Sequence, residues 1–225
     1  MLVRSNLVLL VPLALWAPGC STDDSGGGAG GSGGASGPTC TAADKIAVVT
    51  DIDETLTLSD LEFMTQYGNA DYVPIERADA CKVMAGYHAL GYFVQYLTAR
   101  PPDMDMGGTG LTSEQATNDW LERKGCPLDA RTHVTFSESL VFGEAAHLYK
   151  AAALAGFATD GFTFAYAYGN AQSDIDAYAD AGVAKDATFI IGGPAEGLGT
   201  VTIAGDGYTA HLAAQLPTVP ALCTP

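Results

Sequence analysis

The sequence is poor in charged residues and poorest in basic ones. Only 16% of its 225 residues are charged, and 10 Lys and Arg stand against 26 Asp and Glu, for a net charge of −16. Such an acidic balance argues against nucleic acid as a partner. It also repels phosphate esters at long range, so a phosphate site here would need a metal ion and a few well-placed Lys or Arg side chains.

Several motifs of well-known sites are missing as well. There is no Cys-x-x-Cys or Cys/His spacing typical of zinc, no Gly-Lys-Ser/Thr phosphate loop and no internal repeat. Apolar residues, in contrast, make up 48% of the chain, enough to bury a sizeable core. The composition predicts one globular domain after the first forty or so residues.

The N-terminus has the layout of a bacterial secretory signal. An apolar run from Leu7 to Trp16 follows Arg4 and is too short to span a bilayer. The small residues that end at Gly19-Cys20 resemble a lipoprotein signal, in which the cysteine is lipidated. We therefore predict a signal peptide over 1–19 and a lipid anchor on Cys20, which would make the protein a periplasmic or cell-envelope lipoprotein. The alternative is ordinary secretion, with Cys20 as a free or disulfide-forming thiol.

Residues 21–38 are almost only Gly, Ser, Ala, Thr and Asp, a composition typical of a flexible linker. We predict a tether over 20–39 and a folded domain over 40–225. A lipidated Cys20 would leave four cysteines, an even number that makes two disulfides plausible in an oxidising compartment. We favour the pairs Cys40 with Cys223 and Cys81 with Cys126, and the alternative is buried free thiols.

The folded part alternates short β-type runs with helical patterns. The predicted strands are Ile46 to Thr50, Tyr92 to Thr98, His133 to Phe136, Phe162 to Tyr168 and Thr188 to Ile191. The predicted helices are Glu76 to Leu90, Ser113 to Lys124, Gly143 to Ala155 and Gln172 to Ala181. A β-α-β-α order predicts an α/β fold of three layers, a parallel sheet with helices on both faces, and residues after 200 could add a strand and a short helix.

Polar side chains collect where three of these strands end. The first strand runs into Asp51-Ile52-Asp53-Glu54-Thr55, the second ends at Thr98 to Arg100, and the fourth is followed by Asn170 and Asp174. In open α/β sheets the site lies at the carboxyl ends of the strands. Lys150, on the helix before the fourth strand, can reach the same place.

These residue types fit phosphoryl transfer through a covalent intermediate. A carboxylate at Asp51 can attack phosphorus, which splits one difficult displacement into two easier ones. Asp53 can protonate the leaving alkoxide and then accept the proton of the hydrolytic water. Thr55 could donate a hydrogen bond that orients Asp53.

Carboxylates repel a phosphate unless a hard divalent cation lies among them. We expect Mg²⁺, held by Asp51, Asp53, Asn170 and Asp174. Thr98 and Lys150 would then bind the phosphate and offset its charge. Arg100 could contact the phosphate or form a salt bridge at the sheet rim, and the sequence does not distinguish these roles.

The same residues in the same order resemble the haloacid dehalogenase superfamily, over about residues 46–192. The resemblance implies a Rossmann-like fold, an aspartyl-phosphate at Asp51, Asp53 as acid and base with its backbone carbonyl on Mg²⁺, and the phosphate and metal roles given above for Thr98, Lys150, Asn170 and Asp174.

A closer resemblance is to the catalytic LNS2 domain of lipins, which are phosphatidate phosphatases, and to the related domain of some phosphatidylinositol transfer proteins. It is carried by Tyr96-Leu97-Thr98-Ala99-Arg100-Pro101, by Trp120-Leu121 and by Tyr168-Gly169-Asn170 leading to Asp174. Lipins have Gly where this chain has Glu54. The transfer-protein version lacks the full acidic pair that Asp51 and Asp53 provide here.

The resemblance makes a phosphatidate-like lipid the first-choice substrate. The segments 59–75 and 101–112 are too short for a large cap domain, and an open site suits a large or membrane-bound substrate. One alternative is a phosphatase for a soluble or protein phosphomonoester. Another is a module that binds phosphatidate without hydrolysing it.

Overall fold

A computed structural model describes residues 45–194 and 198–222. The predicted signal peptide, the linker and the cysteines Cys20, Cys40 and Cys223 lie outside these ranges, so the lipid anchor and the Cys40–Cys223 pair stay predictions. Within these ranges no helix combines the length and the apolar character that crossing a membrane requires.

The described part is built on a six-stranded sheet in which every pairing is parallel, with the order β3-β2-β1-β4-β5-β6. Its strands are β1 (Lys45–Asp51), β2 (Phe93–Thr98), β3 (Thr132–Phe136), β4 (Phe162–Gly169), β5 (Thr188–Ile191) and β6 (Val201–Ile203). The α/β prediction is confirmed. The order reverses beside β1, and this places the switch point of the sheet between β1 and β4.

Helices cover both faces of the sheet. They are α1 (Leu61–Gly68), α2 (Ala80–Ala89), α3 (Ser113–Lys124), α4 (Glu144–Thr159), α5 (Gln172–Asp180) and α6 (Thr209–Gln215). In β1, Val48 belongs to a core with α2 and α3, whereas Val49 belongs to a core with α4 and α5. Both faces of the strand are therefore buried, which explains its unbroken apolar run.

Two helix boundaries differ from the prediction by four residues each. Helix α2 begins at Ala80 rather than Glu76, because Asp79 has a left-handed backbone (φ 62°) and Glu76 forms a β-bridge with Thr57. Helix α4 continues past Ala155 to Thr159 and stops before Gly161, which has a φ of 89°. A single glycine inside a helix costs only about 1 kcal/mol, so Gly156 does not end it.

The segment between β1 and α2 holds a helix that the sequence analysis did not predict. Helix α1 buries Phe63 against Met106 and Ala116, which belong to segment 101–112 and to α3. Segment 101–112 is itself a loop with a short 3-10 turn at 106–108. Within the described ranges these two inserts leave the sheet edge without a large cap domain, as expected.

The predicted pair Cys81 and Cys126 forms a disulfide in the structure. It joins the first turn of α2 to the residue just after the glycine that ends α3, and 45 residues separate the two cysteines. Both side chains are buried in the core. The bond thus ties the two helices of one face together.

Replacing Cys81 and Cys126 together with alanine should lower the free energy of unfolding by about 2–4 kcal/mol, because the crosslink restricts the unfolded chain. Urea unfolding without reductant measures this difference. With reductant in both samples, the wild type should fall to about the stability of the double variant. A loss below about 1 kcal/mol would contradict a stabilising role for this disulfide.

Candidate functional site

The carboxyl ends of β1, β2 and β4 open into a cleft of about 290 Å³. Its polar lining includes Asp51, Asp53, Arg100, Lys150 and Asn170, which come from four separate stretches of the sequence. The parallel sheet brings these stretches together at one edge. The structure thus places the predicted site residues in one neighbourhood, and their chemical roles remain predictions.

The centre of the site is a buried lysine between two aspartates. Lys150 Nζ donates to Asp51 Oδ1 at 2.7 Å and to Asp174 Oδ1 at 2.6 Å. The lysine side chain is 5% exposed and the two aspartate side chains are 4% and 0% exposed. Two carboxyl groups thus share one cation in a place with little access to water.

Burial raises the pKa of Asp51 to about 7, since the Lys150 ammonium only partly offsets the loss of water and Asp174 and Asp53 add repulsion. Burial also opposes the charge of Lys150, yet Asp174 and Asp51 hold the pKa of its ammonium above the ordinary value. Lys150 is therefore a permanent cation. Burial and the neighbouring carboxylates thus oppose the charge of Asp51, the predicted nucleophile.

Asp174 is held in place by the backbone that follows β4. Its Oδ2 accepts from the N–H groups of Asn170 at 2.9 Å and Ala171 at 3.0 Å. The carboxylate packs so closely against Gly169 that a Cβ there would lie 2.5 Å from Asp174 Cβ. Glycine at 169 is thus required by a close approach, which accounts for the Gly-Asn pair in the sequence.

Asp53 points to the opposite side of the cleft. Arg100 Nη2 lies 2.5 Å from Asp53 Oδ1, Arg100 Nε lies 3.0 Å from both carboxylate oxygens, and Thr98 Oγ1 donates to Oδ2 at 3.0 Å. Of the two roles left open for Arg100, the salt bridge is the one observed. Thr98, predicted to bind a phosphate, here donates to Asp53.

Arg100 is itself fixed from two sides. Its Nη1 donates to Thr117 Oγ1 at 3.0 Å, and its guanidinium carbon lies 4.2 Å from the centre of the Phe63 ring. The arginine side chain is 3% exposed, whereas that of Asp53 is 20% exposed. Asp53 is thus the solvent-facing end of a rigid ion pair, a suitable place for a group that exchanges protons with substrate and water.

The prediction that Thr55 orients Asp53 is wrong. Thr55 Oγ1 lies 3.1 Å from Asp51 Oδ2 and 3.1 Å from Asn170 Oδ1. The chain turns tightly after β1, with the Leu56 N–H bonded to the Ile52 carbonyl at 2.9 Å. This turn carries Thr55 back over Asp51, so that Thr55 orients the predicted nucleophile instead.

The predicted metal ligands supply hard oxygen atoms in excess of hydrogen-bond donors. The single hydroxyl hydrogen of Thr55 faces two acceptors, Asp51 Oδ2 and Asn170 Oδ1, so one of them lacks this donor. Asp51, Asn170 and Asp174 therefore suit a divalent cation that prefers oxygen.

No three His, Cys, Asp or Glu side chains converge as a ligand set in residues 45–194 and 198–222. The Asp53 carboxylate is paired with Arg100, and two acidic side chains, Asp51 and Asp174, pair with Lys150. The remaining predicted ligands are the amide oxygen of Asn170 and the backbone carbonyl of Asp53, as the resemblance implied.

Two residues that shape the first loop were not among the predicted site residues. Glu54 Oε2 accepts from Asn170 Nδ2 at 3.1 Å, and Arg77 Nε donates to the Glu54 carbonyl at 2.9 Å. Partial burial, with Asp60 adding repulsion, raises the pKa of the Glu54 carboxyl. The sequence signal for Glu54 was a glutamate where lipins have glycine. Arg77 gave no signal, because it lies in a segment that was predicted to be helical.

Part of the cleft lining is apolar. It includes Phe63 and Met64 of α1 and Leu140, Val141 and Phe142 of the loop after β3. Phe142 is 74% exposed and Met64 is 49% exposed. Residues 137–143 could not be assigned this role from sequence, because a loop has no periodic pattern.

Fold and site together define an α/β protein with an acidic, lysine-centred site at the strand ends. Residues 48–192 match the family described as PITM 1-3, LNS2 domain. The chain belongs to this LNS2 family, and the LNS2 resemblance seen in the sequence is confirmed.

Protein retinal degeneration B of Drosophila melanogaster is 30% identical over 171 residues, which are 75% of this chain and 12% of that protein. The chain thus spans about an eighth of the curated relative it matches. Two phosphoserine phosphatase structures, in the apo form and as a phospho-aspartyl intermediate analogue, match with TM-scores of 0.46 and 0.48 and identities of 12% and 10%, each over 76% of this chain and 98% of theirs.

Proposed function

We propose that this domain is a Mg²⁺-dependent phosphatase that hydrolyses a phosphomonoester with an apolar leaving group, such as phosphatidate, through an aspartyl-phosphate at Asp51. The observation that carries the proposal is the meeting of Asp51 with Lys150, Asp174 and Asn170 at the end of β1, with Asp53 opposite. It agrees with the family to which the chain belongs.

The contacts of Asp51 support a role as the nucleophile. Lys150 at Oδ1 and Thr55 at Oδ2 fix the carboxylate, and burial strips it of water. In the first step a carboxylate oxygen would bond to phosphorus while the ester oxygen leaves. In the second step water would attack the same phosphorus and release inorganic phosphate, which regenerates the Asp51 carboxylate.

Asp53 would manage the protons of both steps. As an acid it would protonate the leaving alkoxide, and as a base it would take a proton from the hydrolytic water. Its ion pair with Arg100 holds the carboxylate beside the cleft without direct contact with Asp51. Thr98, already aligned with Asp53, would donate to a phosphoryl oxygen when substrate enters.

Asp51, Asn170, Asp174 and the Asp53 carbonyl would hold Mg²⁺, which would neutralise the phosphate and the carboxylates that surround it. The excess of oxygen acceptors at Thr55 supports a cation at this place. Lys150 would balance the remaining charge of Asp51 and Asp174.

The apolar part of the cleft lining supports a large, apolar leaving group. Met64, Leu140 and Phe142 line the cleft with exposed side chains, which the alcohol part of an ester would contact. A small polar metabolite would gain nothing from these side chains. An acyl chain would bury them and gain about 25 cal/mol for each Å² of apolar surface.

The binding module is the second candidate, because the family match is to the transfer-protein form of the LNS2 domain. The two candidates differ in turnover. Phosphate release from phosphatidate in mixed micelles and from glycerol 3-phosphate, with Mg²⁺ or with EDTA, separates them. Mg²⁺-dependent release supports the phosphatase, and phosphatidate binding without any release supports the binding module.

Phe142 offers a direct test of the substrate class. Replacing Phe142 with serine should lower kcat/KM for phosphatidate about tenfold, since it removes apolar contact with the lipid, and should change that for glycerol 3-phosphate less than twofold. Leu148→Ser is the matched control: Leu148 is 59% exposed on α4 and does not line the cleft. Equal losses on both substrates would favour a soluble phosphomonoester.

A further inference from the structure

Glu54 has a backbone conformation that suits glycine. Its φ is 56°, in the left-handed region, where a side chain costs roughly 1 kcal/mol or more. Two hydrogen bonds impose this conformation: the Glu54 N–H donates to Thr57 Oγ1 at 2.9 Å, and its carbonyl accepts from Arg77 Nε at 2.9 Å. Arg77 is buried, so the loop cannot easily relax. Strain of this kind persists where a side chain is needed.

The side chain of Glu54 bonds to a predicted metal ligand. Glu54 Oε2 lies 3.1 Å from Asn170 Nδ2, and Asn170 Oδ1 lies 3.1 Å from Thr55 Oγ1. A carboxylate can only accept hydrogen bonds, so it selects the nitrogen end of the amide. The oxygen end of Asn170 must then face Thr55, whose hydroxyl also lies 3.1 Å from Asp51 Oδ2. The alternative amide orientation would place two acceptor oxygens against each other.

We propose that Glu54 is a positioning residue that turns the Asn170 carbonyl oxygen toward the cation site beside Asp51. The inference rests on the proposed function, because the cation is part of it. Glycine at 54, as in lipins, would relieve the backbone but could not orient the amide. The strain at Glu54 is thus offset by the order that it gives to a metal ligand, and residues that orient ligands typically change metal affinity tenfold to a hundredfold.

The test compares metal affinity with stability in Glu54→Gly. Calorimetric titration with Mg²⁺, without substrate, should show a Kd about tenfold or more above that of the wild type. Urea unfolding in EDTA should show an equal or higher midpoint, since glycine removes the left-handed strain. A purely structural role for Glu54 would lower the midpoint and leave the Kd within twofold, and that result would overturn the proposal.

Asp79→Gly is the matched control for the backbone. Asp79 is the other residue besides glycine with a positive φ (62°) in the described ranges, and it contacts Lys82 and Thr209 instead of the site. Its variant should keep the wild-type Kd for Mg²⁺. A Kd that also rises tenfold would mean that loop strain, and not the Glu54 side chain, controls the site.

Two further variants separate orientation from charge. Glu54→Gln removes the charge but keeps an acceptor oxygen for Asn170 Nδ2, so its Kd should lie much closer to that of the wild type than to that of Glu54→Gly. In an Asn170→Ala background, Glu54→Gly should raise the Kd less than twofold further, because no amide remains to orient. A full tenfold effect in that background would show that Glu54 attracts the cation by its charge, against the proposal.

No Mg²⁺ binding by the wild type would refute the cation in the proposed function as well. Mg²⁺ binding by the wild type with an unchanged Kd in Glu54→Gly would refute this inference alone.

Discussion

Asp51→Asn should release phosphate from phosphatidate about four to six orders of magnitude more slowly than the wild type, as expected when a nucleophile is removed. The amide is nearly the same size as the carboxylate and can still contact Lys150 and Thr55, but it cannot attack phosphorus. Phosphate release over a range of substrate concentrations measures the loss. Acid quenching with radiolabelled substrate should label the wild type and leave the variant unlabelled.

The stability of this variant should not be lower than that of the wild type. Since burial raises the pKa of Asp51 to about 7, the charged carboxylate lowers the stability of the metal-free protein as the pH rises from about 4 through 7. A neutral side chain removes this destabilisation by the charged carboxylate. At pH values near 8 the variant in EDTA should therefore unfold at an equal or higher urea concentration than the wild type. Asp186→Asn, an exposed carboxylate outside the cleft, should keep full activity. An Asp51→Asn activity within a hundredfold of the wild type would refute the covalent route.

Lys150→Met should produce the largest loss of stability, about 3–5 kcal/mol, together with loss of activity. The change leaves Asp51 and Asp174 buried without the cation that lies 2.7 and 2.6 Å from them. Their mutual repulsion would then be uncompensated in a place without water. Urea unfolding in EDTA measures the effect.

The deficit should depend on pH in a defined direction. Lys150 is one cause that lowers the pKa of Asp51, so its removal raises that pKa further above the unfolded value of 3.8. A group whose pKa is higher in the folded state stabilises the fold at low pH and loses this effect as the pH rises. The deficit should therefore be small near pH 4 and grow toward pH 8.

Lys82→Met is the control for this experiment. Lys82 pairs with Asp79 at 2.7 Å with a side chain that is 74% exposed. Exposed pairs contribute about 0–1 kcal/mol, so this variant should lose little at any pH. A Lys150→Met deficit as small as that of Lys82→Met, or one that is independent of pH, would contradict the buried charge cluster.

The sheet and the acidic cluster were predictable because their signals are local. Five strands were found as apolar runs bounded by polar residues, and the parallel order of the sheet then brought Asp51, Thr98 and Asn170 to one edge. Lys150 could be included because few basic residues exist in the chain. The topology of the fold thus brings together residues that are far apart in the sequence.

Side-chain partners were not predictable in the same way. Thr55 was assigned to Asp53, yet the turn after β1 carries it back to Asp51 and Asn170. Arg100 could have faced a phosphate or a carboxylate, and only the packing of Phe63 and Thr117 around it decides for Asp53. These contacts depend on rotamers and on a helix that has no long apolar period.

Helix α1 escaped prediction for a related reason. It is 8 residues long and begins without a side-chain cap, so neither periodicity nor a start signal marks it. Its stability comes from the burial of Phe63 against Met106 and Ala116, which are distant in sequence. Tertiary packing of this kind is invisible to a reading of local pattern.

The Phe63 ring contacts the guanidinium of Arg100, so the insert that carries helix α1 supports a residue of the buried site. Helix α1 supplies no group that would react, yet it shields the arginine that fixes the proposed acid. The insert is therefore not free to drift as surface segments usually do. A homologue with a longer or reshaped insert should therefore keep an aromatic ring at this place. The presence of this ring is a criterion for sorting such homologues.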